Sequence, residues 1–174
     1  VISVLVGANT LEDAAPVTLD ALADATDIDH GAVLSVVNVP ALLPAGISYD
    51  AASHSFSIDP TNTAFQSLAQ GEVQTYSVGY GVTDGMATTA TSVNFTVIGV
   101  NDAPVVSARV TGTPNEDGPI VSVNALGNAT DVDDVQFGHA LHVTGVPDLL
   151  PAGVSFDAAT QKFSLNPGDA AYQY

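Results

Sequence analysis

The sequence predicts an all-β chain, folded as Greek-key β-sandwiches in tandem. Three observations predict it. Apolar residues alternate with polar ones at a period of two through the valine-rich segments, the spacing of strands with one buried face. Proline and glycine turn signals cut these segments into many short runs, the pattern of a sandwich. The whole pattern then occurs a second time along the chain.

The repeat fixes the domain organisation. Glu12-Asp13 recurs as Glu116-Asp117, 104 residues on, and Ala25-Thr26-Asp27-Ile28-Asp29 recurs at the same offset as Ala129-Thr130-Asp131-Val132-Asp133. Three extra residues near Val135 to Phe137 move the offset to 107. Leu42-Leu43-Pro44-Ala45-Gly46 then matches Leu149-Leu150-Pro151-Ala152-Gly153, and Phe56-Ser57-Ile58-Asp59-Pro60 matches Phe163-Ser164-Leu165-Asn166-Pro167. Substitutions keep physical type, Val for Ile and Phe for Tyr, so the register is secure. The period is too long for a solenoid unit and suits a small domain. The first domain is assigned to residues 1–103 and the second to 104–174, divided at Val100-Asn101-Asp102-Ala103-Pro104. Pro104 lacks a ladder donor and holds Ala103 extended. The second copy carries about two thirds of the first, without counterparts of the segment after Ser67. As given, its sandwich is without two apolar strands, and strand exchange, a further portion of sequence or a partner fragment would each complete it.

The elements follow in order. Leu19 to Ala25 has the alanines for one helical turn, whereas its copy, with Asn124, Gly127 and Asn128, favours a loop. Leu34 to Val39 reads as a strand, as does its match Leu141 to Val146. Ser55 to Ile58 is a short strand closed by Asp59-Pro60, and Thr63 to Leu68 suits a further turn of helix. Tyr76 to Val82 and Thr91 to Ile98 alternate strictly and are separated by Asp84-Gly85, a turn signal. Ile120 to Val123 reads as a strand in the second copy. Phe56/Phe163 and Phe65/Tyr172 are paired core positions.

Charge narrows the function. Of 174 residues 19 are acidic and 2 basic, for a net charge of -17. Arg109 and Lys162 alone cannot replace phosphate counterions, so nucleic acid is not a partner. Anionic lipid would repel the chain, and no run of about 20 apolar residues is present to insert in a bilayer. The start at Val1 to Gly7 has no basic leader. There is no cysteine, hence no disulfide and no thiolate site. Catalysis is not expected: no Gly-x-Ser-x-Gly elbow and no phosphate loop occur, tryptophan is absent, and the four histidines (His30, His54, His139, His142) lack zinc-site spacing.

The acids cluster, and two bases cannot neutralise them. Carboxylate and carbonyl oxygens are hard ligands suited to Ca²⁺. Asp-x-Asp in extended chain turns both carboxylates to one face, as at Asp27/Asp29 and Asp131/Asp133. Neither an EF-hand loop nor a Gly-Gly-x-Gly-x-Asp nonapeptide occurs, so any calcium site is assembled from separate loops.

With Val100-Asn101-Asp102-Ala103-Pro104, Glu116-Asp117-Gly118-Pro119, Asp131-Val132-Asp133 and Tyr80-Gly81-Val82-Thr83-Asp84-Gly85, nearly the whole chain resembles the tandem cadherin-like or VCBS-type repeats of bacterial RTX-type surface adhesins. The resemblance implies immunoglobulin-like sandwiches, an extracellular location, secreted or on the bacterial surface, and Ca²⁺ between neighbouring repeats of one polypeptide. It implies ligands from Glu12, Glu72, Asn101, Asp102, Asp131 and Asp133 at the junction, and from Asp27, Asp29 and Asp84 at an outer site, with Asp13, Glu116 and Asp117 as additional neighbours. The implied role is a calcium-stiffened extender projecting a distal binding domain in adhesion or biofilm formation. The alternative is direct recognition of a glycan, protein or ice surface, with Thr88-Thr89-Ala90-Thr91 the best polar array.

Overall fold

The computed structural model describes residues 6–133 and 140–173. Its described secondary structure is almost entirely strand, in two compact units, Val1–Asn101 and Asp102–Tyr174.

The first unit holds β1 (Val6–Leu11), β2 (Val17–Asp20), β3 (Ser35–Val37), β4 (Ile47–Asp50), β5 (Ser55–Ile58), β6 (Val73–Thr83) and β7 (Thr88–Ile98). They form a three-stranded sheet, β2-β5-β4, and a four-stranded sheet, β1-β7-β6-β3. All pairings are antiparallel except β1 with β7, which is parallel. Strand alternation explains what is buried: Val78, Tyr80 and Val82 of β6 and Val93, Phe95 and Val97 of β7 form the inward face. Phe56 and Ile58 of β5 join the same core, both at 0% exposure. Phe56 links the sheets, 5.2 Å from Tyr80 of β6, and packs 4.7 Å from Tyr49 within its own sheet, while Phe65 meets Tyr76 edge-on at 5.3 Å. The buried Tyr80 hydroxyl donates to the Ala21 carbonyl at 2.9 Å. Gly46 has φ 76°, and a Cβ there would stand 2.5 Å from the Phe65 ring, so both conformation and space require glycine.

The second unit contains β8 (Val105–Val106), β9 (Val121–Asn124), β10 (Ala129–Thr130), β11 (Val154–Asp157) and β12 (Lys162–Leu165), then a 3₁₀ turn at Ala170–Tyr172. Its three-stranded sheet, β11-β12-β9, pairs in the register of β4-β5-β2. Details recur as well. Thr18 and Ser57 share a hydroxyl bond of 2.7 Å, as do Ser122 and Ser164. Phe156 and Phe163 sit 4.7 Å apart, as Tyr49 and Phe56 do. A two-stranded β10-β8 ladder completes the paired strands described for this unit.

Three expectations differ from the structure. Leu19 and Asp20 extend β2, and only a turn follows, because Asp20 Oδ1 accepts the Leu22 amide at 2.8 Å and bends the chain there. Thr63 to Leu68 forms successive turns, Phe65 to Asn62 and Leu68 to Phe65, rather than a helix. Leu141 to Val146 is not a strand, although Ser35–Val37 is. The latter pairs with β6, and among the described residues no strand pairs with 141–146.

Phe56→Ala opens a cavity under both sheets and should lower the stability of the first unit by about 3–5 kcal/mol in urea unfolding followed by circular dichroism; a loss below about 1 kcal/mol contradicts this core. In the β4–β5 turn the Ser53 hydroxyl (2.7 Å) and then the Ala52 amide (3.0 Å) hold the Asp50 carboxyl below its ordinary value. A depressed carboxylate pKa adds stability above the unfolded value of about 3.9, lost as pH falls through the folded value. Ser53→Ala should raise the Asp50 pKa toward about 3.9 in a carbon-detected NMR titration, and an unmoved midpoint contradicts the assignment.

Candidate metal centre

The long strand β6 separates two acidic ends of the first unit. Glu72 immediately precedes it and Asp84 immediately follows it. Eleven strand residues span about 36 Å at roughly 3.3 Å each.

Parallel pairing of β1 with β7 builds the Glu72 end. Leu11 lies opposite Ile98, and the Glu12 amide donates to the Ile98 carbonyl at 2.9 Å. The Gly99 amide donates to the Glu72 carbonyl at 2.8 Å, and the Ala69 amide to Glu72 Oε2 at 3.1 Å. Gly99 is needed here, since a Cβ would collide with the Ala69 carbonyl oxygen. Glu12 is buried at 2% exposure, a position where a carboxylate needs compensation by donors or a cation. Asp13 is exposed with φ 60°, and its Oδ1 accepts Gln66 Nε2 at 3.0 Å. Asn101, exposed, ends the unit.

At the other end Asp27, Asp29 and Asp84 converge, each offering a carboxylate oxygen within 4.8 Å of the other two. Asp27 and Asp29 come from the loop before β3, Asp84 from the β6–β7 turn. Backbone amides orient this set. Asp27 Oδ1 accepts the Asp29 amide at 2.8 Å. Asp84 Oδ1 accepts the Ala87 and Met86 amides, both at 2.7 Å, and these bonds hold its carboxyl below the ordinary value. One oxygen of each thus fixes a turn, and the two residues line a recess together with Thr26, Leu34, Ala87 and Thr89. Thr83 braces the same turn: its hydroxyl donates to the Ala87 carbonyl at 2.6 Å and accepts the Gly85 amide at 3.0 Å. Sequence reasoning missed Thr83, whose only signal is its place before Asp84-Gly85.

In the second unit Asp131 Oδ1 accepts the Asp133 amide at 3.1 Å, the geometry of the Asp27/Asp29 pair. Asp133 is buried at 8% exposure. Its Oδ2 accepts the Asp102 amide at 2.6 Å, and among the described residues its buried Oδ1 accepts no hydrogen bond. Glu116 is exposed, unlike Glu12, and Asp117 is exposed with φ 58°, matching Asp13. Of the four histidines, His139 lies outside the described residues; His54 occupies the β4–β5 corner at φ 52°.

No protein-family model matches the chain, and no curated protein matches it.

Asp84→Ala should release the β6–β7 turn. The Met86 and Ala87 amides are expected to exchange with deuterium faster while β6 centre amides keep their rates. Unchanged exchange at Met86 and Ala87 contradicts the role of the carboxylate as their acceptor.

Proposed function

We propose that the chain is a calcium-stiffened extender from a large bacterial surface adhesin, built of cadherin-like, immunoglobulin-type Greek-key sandwiches of the VCBS kind. The observation that carries the reading is the convergence of Asp27 and Asp29 from one loop with Asp84 from another at one end of the first unit. An all-oxygen donor set suits Ca²⁺ over softer metals. Buried Asp133 Oδ1, without a hydrogen bond among the described residues, is the kind of atom a cation satisfies.

In this reading Glu12, Glu72 and Asn101 supply ligands from the end of one domain, and Asp102, Asp131 and Asp133 supply them from the next. Asp27, Asp29 and Asp84 serve the domain before, with Asp13, Glu116 and Asp117 as neighbours. Bound calcium supplies positive charge to carboxylates that the chain's two bases cannot neutralise. Without it, these acids repel one another and adjacent domains move independently. With their oxygens tied together the linker Asn101-Asp102-Ala103-Pro104 stiffens, and many such domains make a rod outside the cell. Selective binding to the folded state also stabilises it, by about 2.7 kcal/mol at a hundredfold excess over Kd.

Small-angle scattering in calcium and in chelator tests the proposal. The maximum dimension should increase and interdomain flexibility fall in calcium, and Asp131→Asn with Asp133→Asn should abolish the difference. Equal scattering in both solutions defeats the stiffening role.

A further inference from the structure

The two sheets of the first unit differ in charge. The three-stranded sheet exposes Asp20 and Asp50, in register on either side of Ser55. The four-stranded sheet carries no charged residue on any of its strands. Its nearest acids in sequence stand beyond the strand ends, Glu12 after β1, Glu72 before β6 and Asp84 after it. This neutral sheet belongs to a chain with a net charge of -17.

A second observation concerns the outward side chains of that sheet. Strand alternation turns Val78, Tyr80, Val93, Phe95 and Val97 into the core, so the residues between them face out. Leu11, Ile98 and Val73 form one row across β1, β7 and β6, with Leu11 53% and Val73 60% exposed. Asn9, Thr96 and Thr75 form the next row, in which the two threonine hydroxyls bond each other at 3.0 Å. Beyond it the hairpin presents Asn94 and Ser77, then Ser92 and Gly79. The outward face is thus neutral and low in relief, with an apolar row laid bare at its Glu72 end, the composition of a contact surface.

We infer that this face joins two copies of the chain, sheet against sheet. Charge selects the occupant. Two copies carry like charge and repel wherever their carboxylates approach, which leaves the neutral face as the surface on which they meet at least cost. A cationic partner is drawn instead to the acidic strand ends. Size fits a weak dimer. The hairpin runs about 36 Å at roughly 3.3 Å per residue, and three strands about 4.8 Å apart give a width of about 14 Å. Two such faces stacked bury about 1,000 Å² in all, the low end for specific association. Apolar row meets apolar row only when both hairpins run in the same direction, an arrangement that is two-fold and self-complementary. The inference is independent of cation binding.

Sedimentation equilibrium of the full chain in chelator, up to about 1 mM, should show a reversible dimer with a Kd of about 0.1–1 mM. Raising salt from about 0.05 to about 0.5 M should tighten it by about threefold or more, because screening weakens the repulsion between like charges. Thr75→Asp should abolish the dimer. Ser48→Asp makes the same charge change on the exposed face of the other sheet and should leave the Kd within about twofold. Leu11→Ser trims the exposed apolar row without touching the core and should weaken association by about fivefold. With a nitroxide on Gln74→Cys in one copy, the Val73 and Ile98 methyls of an isotope-labelled second copy should broaden while those of Val37 do not. A monomer at every concentration, a dimer that loosens in salt, or one that Thr75→Asp and Ser48→Asp affect equally overturns the inference. Broadening at Val37 in place of Ile98 overturns the shared direction of the hairpins.

Discussion

The antiparallel ladder between β6 and β7 is the constraint on which the first unit depends. It runs unbroken from Val73 opposite Ile98 to Thr83 opposite Thr88. Among the described residues neither β1 nor β3 has another sheet partner, so both edges of the four-stranded sheet hang on it. Its inward residues also close the core over Phe56 and Ile58. Hydrophobic burial and backbone pairing are therefore coupled: uncovering the face would leave two strands unpaired, and losing either edge would bare the core. The second unit displays the same three-stranded sheet with its apolar side chains only half-buried.

The same ladder separates the acids. A chain with a net charge of -17 cannot neutralise its carboxylates internally. Many of them shape turns instead. Asp20, Asp50, Asp59 and Asp157 each accept the amide two residues on and bend the backbone there. Asp27, Asp84 and Asp131 accept the amide two residues on in the same way, each through Oδ1. Turn formation alone accounts for scattered aspartates. It does not account for three of them converging from two loops, or for a buried Asp133 oxygen without a donor among the described residues.

The all-β class, the long hairpin and the acid positions were legible because period-two alternation and Asp-Gly signals act locally. Thr91 to Ile98 shows its inward valines and Phe95 in sequence alone, and the alternation of Tyr76 to Val82 likewise marks β6. The strands β1, β2 and β4 were not recognised. Val6–Leu11 is a strand because it pairs in parallel with β7, a partner far along the chain that local pattern does not reveal. Leu141 to Val146 has the pattern of a strand but no partner among the described residues, and it is not one. The burial of Glu12 likewise comes from its place after β1, at the end of β7, and not from its neighbours in sequence. Pairing partners, more than propensity, decide these segments.

Native-state hydrogen exchange along the full chain tests this dependence most directly. The amides of β6 and β7 between Tyr76 and Phe95 should be the last of the first unit to exchange, opening only with global unfolding, while β9, β11 and β12 of the second unit exchange well before them. If β2, β4 and β5 outlast β6 and β7, or if β9, β11 and β12 match them, the hairpin is not what holds the first unit together.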